Sequence, residues 1–185
     1  MIKRSIAALF IAFSLGGCAS STALTYLILS PVPGTVYAAS GSTIAVGQVS
    51  MPPAIDRGFL TEGSSETTVT VSYRAHWAAP LGPMAQTVLA RDLAARLPGR
   101  VVVMPGDNVP DTALVVSVNV ITFLPYRSHV VLEADWRAGN TGGKTMTTGR
   151  IRVITPTAAT AQAQAQAMSQ ALGLLADKIA GRIAG

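Results

Sequence analysis

Charge is scarce in this sequence: Asp, Glu, Lys and Arg make up 12% of it, against 49% hydrophobic residues. The basic excess is small and scattered, which argues against a nucleic-acid surface. Cysteine occurs once, at Cys18, so no intramolecular disulfide can form. Histidine occurs twice, as His76 and His129, and neither has a second ligand or a carboxylate at metal-binding spacing. The nucleophile-elbow pattern Gly-x-Ser-x-Gly is missing. No repeat of solenoid length occurs. At 185 residues the chain holds one ordinary domain. An enzyme is therefore the weaker reading, and no metal or cofactor is expected.

Long apolar runs are also lacking, save one at the N-terminus. Lys3 and Arg4 precede an apolar stretch from Ser5 to Leu15, and Gly16-Gly17-Cys18 follows. As a helix that stretch spans only ~16 Å, roughly half a bilayer core, so it reads as a secretory signal and not as a transmembrane helix. Leu15-Gly16-Gly17-Cys18 resembles the bacterial lipobox, in which cleavage leaves an acylated cysteine at the new N-terminus. Small residues there give a protease and an acyltransferase access to backbone and thiol. On this reading residues 1–17 are a lipoprotein signal peptide, 18–23 a lipidated tether and 24–185 the domain. Several acyl chains, at ~0.8 kcal/mol per buried methylene, anchor a protein stably. By resemblance to Gram-negative lipoproteins, Ala19 in place of Asp directs the chain to the outer membrane, on its periplasmic face.

The rest reads as α+β. Leu24–Leu29, Ile44–Val49 and Glu66–Tyr73 have strand character, and the Pro-, Gly- and Ser-rich 30–43 reads as a loop. A helix is expected after Pro80, with Met84, Val88, Leu89, Leu93 and Leu97 on its apolar face and Asp92 and Arg96 mostly elsewhere. Val101–Met104 reads as a short buried strand. Alternation predicts three antiparallel strands at 114–122, 129–137 and 145–155. Glu133 and Asp135 would then face Arg150 and Arg152 across strands, as surface pairs of little energetic weight. A long helix at 158–184 carries Met168, Leu172, Leu175, Ile179 and Ile183 on one side, and its opening AQAQAQA run has no strong apolar face. The expected fold is a single domain, mainly an antiparallel sheet with two helices packed on it.

Ala138-Gly139-Asn140-Thr141-Gly142-Gly143-Lys144-Thr145 resembles a phosphate-binding loop. That chemistry needs a strand before the loop and a helix after it. Strands are expected on both sides, so the segment reads as a hairpin turn. The candidate binding residues lie instead at the ends of elements. Asp56 and Arg57 sit between a double proline and Gly58, and Trp77 precedes a turn containing Pro80 and Leu81. Asp56 and Arg57 could be a local ion pair or turn cap, and Trp77 a core anchor beneath the helix. Rigid loops bearing an aromatic and a guanidinium also serve as partner-binding edges.

Five stretches in order resemble the ABC-type transport auxiliary lipoproteins, the family of paraquat-inducible protein C. They are Tyr26-Leu27, Val46-Gly47-Gln48-Val49, Pro52 to Arg57, Trp77-Ala78 with Pro80-Leu81, and Met168-Ser169 with Ala171-Leu172. The chain departs from the pattern at Ala54, where Tyr is usual, at Gly58, where Pro is frequent, and at Ala79, where an acidic residue is common. The resemblance implies a non-catalytic lipoprotein of an envelope lipid transport system. Its partners would be an MCE-domain protein and the associated inner-membrane transporter, with Asp56, Arg57, Trp77, Pro80 and Leu81 as the partner-binding set. A carrier holding a phospholipid acyl chain and an envelope hydrolase are the alternatives. Self-association into a ring would suit a port for a tubular partner, although no residue demands it.

Overall fold

In the computed structural model, which describes residues 24–184 except Thr141 and Gly143, strands precede and separate two helices. The order is β1 (Thr25–Leu27), β2 (Ile44–Ser50), β3 (Phe59–Gly63), β4 (Val69–Trp77), α1 (Leu81–Arg96), β5 (Val102–Val103), β6 (Leu114–Pro125), β7 (His129–Asn140), β8 (Thr145–Pro156) and α2 (Ala161–Ile183). The signal segment, Cys18 and the tether lie outside the described residues.

The strands form a five-stranded sheet, β5-β2-β6-β7-β8, and a three-stranded sheet, β1-β4-β3. The β6–β7, β7–β8 and β3–β4 pairs are antiparallel, as the sequence predicts for most of the fold. Parallel pairs are added where β2 lies between β5 and β6 and where β1 joins β4. Alternation alone does not show these, because parallel pairing depends on crossovers through distant elements.

The β6–β7–β8 block follows its period of two. Val116, Val118 and Val120 of β6 and Val130, Leu132, Ala134 and Trp136 of β7 are buried. Trp136 lies opposite Gly149, where a Cβ would come within 2.7 Å of the indole. Glycine leaves that volume to the ring. On the other face Arg150 grips Asp135 through two hydrogen bonds of 2.6 and 2.8 Å, and Arg152 lies 3.8 Å from Glu133. Between β7 and β8 the Asn140 N–H donates to Lys144 O and the Lys144 N–H donates to Asn140 Oδ1. The glycine-rich stretch is therefore a hairpin with strands on both sides.

The helices cover the inner face. α2 begins at Thr160, whose hydroxyl accepts the Ala163 N–H. Its 23 residues reach about 35 Å, close to the ~40 Å of a twelve-residue strand, so one helix spans the sheet. Buried Ala165, Ala167, Ala171, Ala176 and Ala180 let it pack closely, with Met168, Leu172, Leu175, Ile179 and Ile183 filling the interface. The small sheet joins the same core through Leu27, Leu60, Ala75 and Trp77.

Several expectations are corrected. β3 has no strong sequence signal, being five residues that follow Gly58 and end on Gly63. β4 starts and ends later than expected, so Tyr73 and Val69 are exposed while Ala75 and Trp77 fill the core. Val101 is exposed and β5 is only half-buried, because that strand pairs at the sheet edge. Gln164, in the run without an apolar face, is fully buried. The largest correction concerns Asp92 and Arg96, which are 0% and 1% exposed. α1 is covered on more sides than one, so Asp92 and Arg96 are enclosed while Thr87 and Arg91 stay exposed.

Candidate functional site

The sequence-selected residues converge on one corner. After β2, Pro52 O accepts the N–H groups of Ile55 and Asp56, closing a tight turn that buries Ile55. The turn carries Asp56 to the start of α1, where Asp56 Oδ1 accepts the Gly82 N–H at 3.4 Å. α1 has no acidic residue in its first turn and no side-chain cap from Pro80. Asp56 supplies that missing negative charge from across the fold, which suits a helix N-terminus. Next to it, Trp77 N–H donates to Gly58 O, and Ala78 N–H donates to Leu27 O.

Trp77 and Leu81 are core residues, 5% and 1% exposed. They hold the corner from beneath. Its accessible surface consists of Asp56, Arg57 and Pro80, with Ala78 and Ala79 beside them. The corner thus presents a carboxylate, a guanidinium and a rigid proline on backbone fixed by long-range hydrogen bonds.

A second constellation was not read from the sequence. Arg96 Nε donates to Asp177 Oδ1 at 2.7 Å, Nη1 to the carbonyls of Val32 and Asp92, and Nη2 to Gly173 O. Asp92 Oδ1 lies 3.3 Å from Arg96 Nη1 and accepts the Val32 N–H at 3.0 Å. Asp177 Oδ1 also accepts the Thr35 N–H. The loop at 30–37 is thereby stapled across α1 and α2. Further ties run from Ser30 N–H to Ser169 Oγ and from Tyr37 N–H to Arg96 O. A Cβ on Gly34 would overlap the Arg96 guanidinium, and one on Gly173 would overlap the Val32 side chain. Burial pushes the Asp92 carboxyl above its ordinary range, while the Val32 N–H and Arg96 pull it back. The only sequence signal for this latch is the i, i+4 spacing of Asp92 and Arg96, which reads equally well as a solvated helix face.

Neither histidine is buried. His76 Nε2 contacts Tyr73 O, and His129 stacks on Tyr126. A depression of ≈ 770 Å³ lies on the outer face of the five-stranded sheet and includes Gln48, Ser117, Asn119, Asp135, Arg137 and Arg150, with Val118 and Trp136 also in its lining. Its surface is polar and apolar in about equal parts. Among the described residues no helix is long and apolar enough to cross a membrane.

Comparison with known proteins places this architecture. The crystal structure of an uncharacterized protein superposes with a TM-score of 0.75 at 18% identity, covering 86% of this chain and 98% of that one. A crystal structure of a protein from Xanthomonas campestris gives 0.70 at 16% identity, covering 88% and 94%. At such identities the likeness establishes the fold. No curated protein matches the sequence. The model of the ABC-type transport auxiliary lipoprotein component matches residues 26–180, which takes in the corner, the latch and nearly all of both sheets and helices. The chain belongs to the ABC-type transport auxiliary lipoprotein family.

Proposed function

We propose that this protein is the non-catalytic docking lipoprotein of an MCE-type lipid transport system, held at the periplasmic face of the outer membrane by acyl chains on Cys18. The inner-membrane complex would supply the driving force, and this chain would receive its MCE-domain protein. The observation that carries the reading is the corner itself. Asp56, Arg57 and Pro80 are exposed on backbone pinned to α1, β1 and β4, within a family that serves ABC-type transport. Rigid, charged and partly apolar corners suit protein recognition, since little ordering is needed on binding.

Asp56 also caps α1, so Arg57 is the cleaner probe. Arg57→Ala should leave stability within about 0.5 kcal/mol. Co-purification of the lipidated chain with its MCE-domain partner should fall, and fall further with Arg57→Glu. Undiminished co-purification with both variants would remove the corner from the interface.

A further inference from the structure

The outer face of the three-stranded sheet carries aromatic rings where a solvated face would carry polar side chains. Tyr26 of β1 lies 5.7 Å from His76 of β4, His76 lies 4.6 Å from Phe59 of β3, and Phe59 lies 5.7 Å from Tyr73. The four rings form one connected group across all three strands. Tyr26 is 63% exposed and Tyr73 76%. Leu24 and Ile28, flanking Tyr26, are 55% and 61% exposed. The opposite face of this sheet is buried through Leu27, Leu60, Ala75 and Trp77. The exposed apolar group is therefore separate from the core and continuous along β1.

We infer that this face rests on the bilayer that holds the N-terminal lipid. The inference depends on the reading of Cys18 as the anchor. From Cys18 to Leu24 the chain reaches at most ~20 Å, and Leu24 directly precedes the strand that bears Tyr26. The acyl anchor thus keeps this face within one tether length of the headgroups. Tyrosine and histidine, apolar in body and polar at the tip, suit the headgroup boundary, while Leu24, Ile28 and Phe59 supply burial. Arg74, exposed on β4 of the same sheet, would meet the phosphates.

The tyrosines provide an internal test. The chain has four: Tyr26 and Tyr73 on this face, and the half-buried Tyr37 and Tyr126 elsewhere. The full lipidated chain is placed on vesicles of phosphatidylethanolamine with a minority of phosphatidylglycerol and footprinted with hydroxyl radicals. In a face free of lipid, Tyr26 and Tyr73 oxidise faster than Tyr37 and Tyr126, as their exposure dictates. Seated on the bilayer, that order reverses and the first two react several-fold more slowly. Retention of the exposure order would overturn the inference and leave the face open to a protein partner. Mass spectrometry of residue 18 tests the anchor separately. A chain found unacylated is coupled through its Cys18 thiol to a maleimide phospholipid, and the same ranking then decides.

Discussion

Arg96→Met tests the latch most directly, because it keeps the apolar stem and deletes only the guanidinium. Arg96 is 1% exposed and its guanidinium serves Asp177, Asp92 and the carbonyls of Val32, Asp92 and Gly173. Once it is gone, Asp92, 0% exposed, retains the Val32 N–H as its hydrogen-bond donor, and its Oδ2 has none even in the native protein. Removing one partner of a buried ion pair costs about 3–5 kcal/mol, more than the net worth of the pair, because the surviving charge is stranded. Asp177 is 26% exposed and turns partly to water, so most of the cost falls on Asp92. For a domain of this size that is a drop in Tm of roughly 6–20 °C. Urea unfolding followed by tryptophan fluorescence is a suitable assay, since Trp77 and Trp136 are 5% and 3% exposed. A second substitution makes the argument specific. Asp92→Asn in the Arg96→Met background keeps an oxygen for the Val32 N–H without the charge, and should recover at least about 1 kcal/mol. Stability within about 1 kcal/mol of native for Arg96→Met, or no recovery in the double variant, would refute the stranded-charge account.

The latch glycines, the corner glycine Gly58 and Asp92 give three further outcomes. Gly34→Ala and Gly173→Ala should each destabilise by about 1–3 kcal/mol in urea titrations, since a methyl would displace the Arg96 guanidinium or the Val32 side chain. Gly58→Ala, with open space around its Cβ, should stay within about 0.5 kcal/mol. Asp92→Asn alone should show a pH signature. The folded carboxyl lies above its ordinary value, so its contribution is fully present below the unfolded value near 3.8 and is lost as pH rises through the folded one. The variant should therefore gain on the native protein in thermal melts between acid and neutral pH, and a constant gap would contradict that sign.

Legibility in the sequence tracks how local each signal is. The faces of β6, β7 and β8 were readable because a period of two runs through long stretches of each strand, bulges at Val120/Thr122 and Ala138/Gly139 notwithstanding, and the Glu133–Arg152 and Asp135–Arg150 pairs followed from it. α2 was readable because its apolar stripe persists across many turns. β3 was not, since its pairing with β4 includes a bulge between Phe59 and Leu60 and no alternation survives. Parallel joining of β1 to β4 was hidden for a different reason: Thr25 pairs with Ala75 far along the chain, and no local pattern marks so distant a partner. At the corner, the sequence identified the residues but left each role open. Asp56 proved to be a cap acting across 26 residues, and Trp77 a core anchor. The latch was least visible. Its members lie in a loop and two helices, and a charged pair spaced i, i+4 gives no hint that a third element will cover it.

The geometry also bears on how the proposed anchor would relate to the corner. β1 pairs residue by residue with the end of β4, Thr25 with Ala75 and Leu27 with Trp77, and Leu27 O accepts the Ala78 N–H. The strand that would lead from the lipid thus abuts the turn that starts α1, and the corner lies one short strand from the tether. On the other side, Ser30 to Tyr37 is stapled to α1 and α2 through Asp92, Arg96, Ser169 and Asp177, so the chain is tied to both helices soon after it leaves β1. A tethering protein whose docking residues moved freely relative to its anchor would fix its partner's distance from the bilayer only loosely. Here Arg57 precedes Phe59 by two residues, so the proposed partner contact borders the proposed bilayer contact. A tubular partner received at Asp56, Arg57 and Pro80 would meet the membrane surface directly, which is where a lipid leaving it must go.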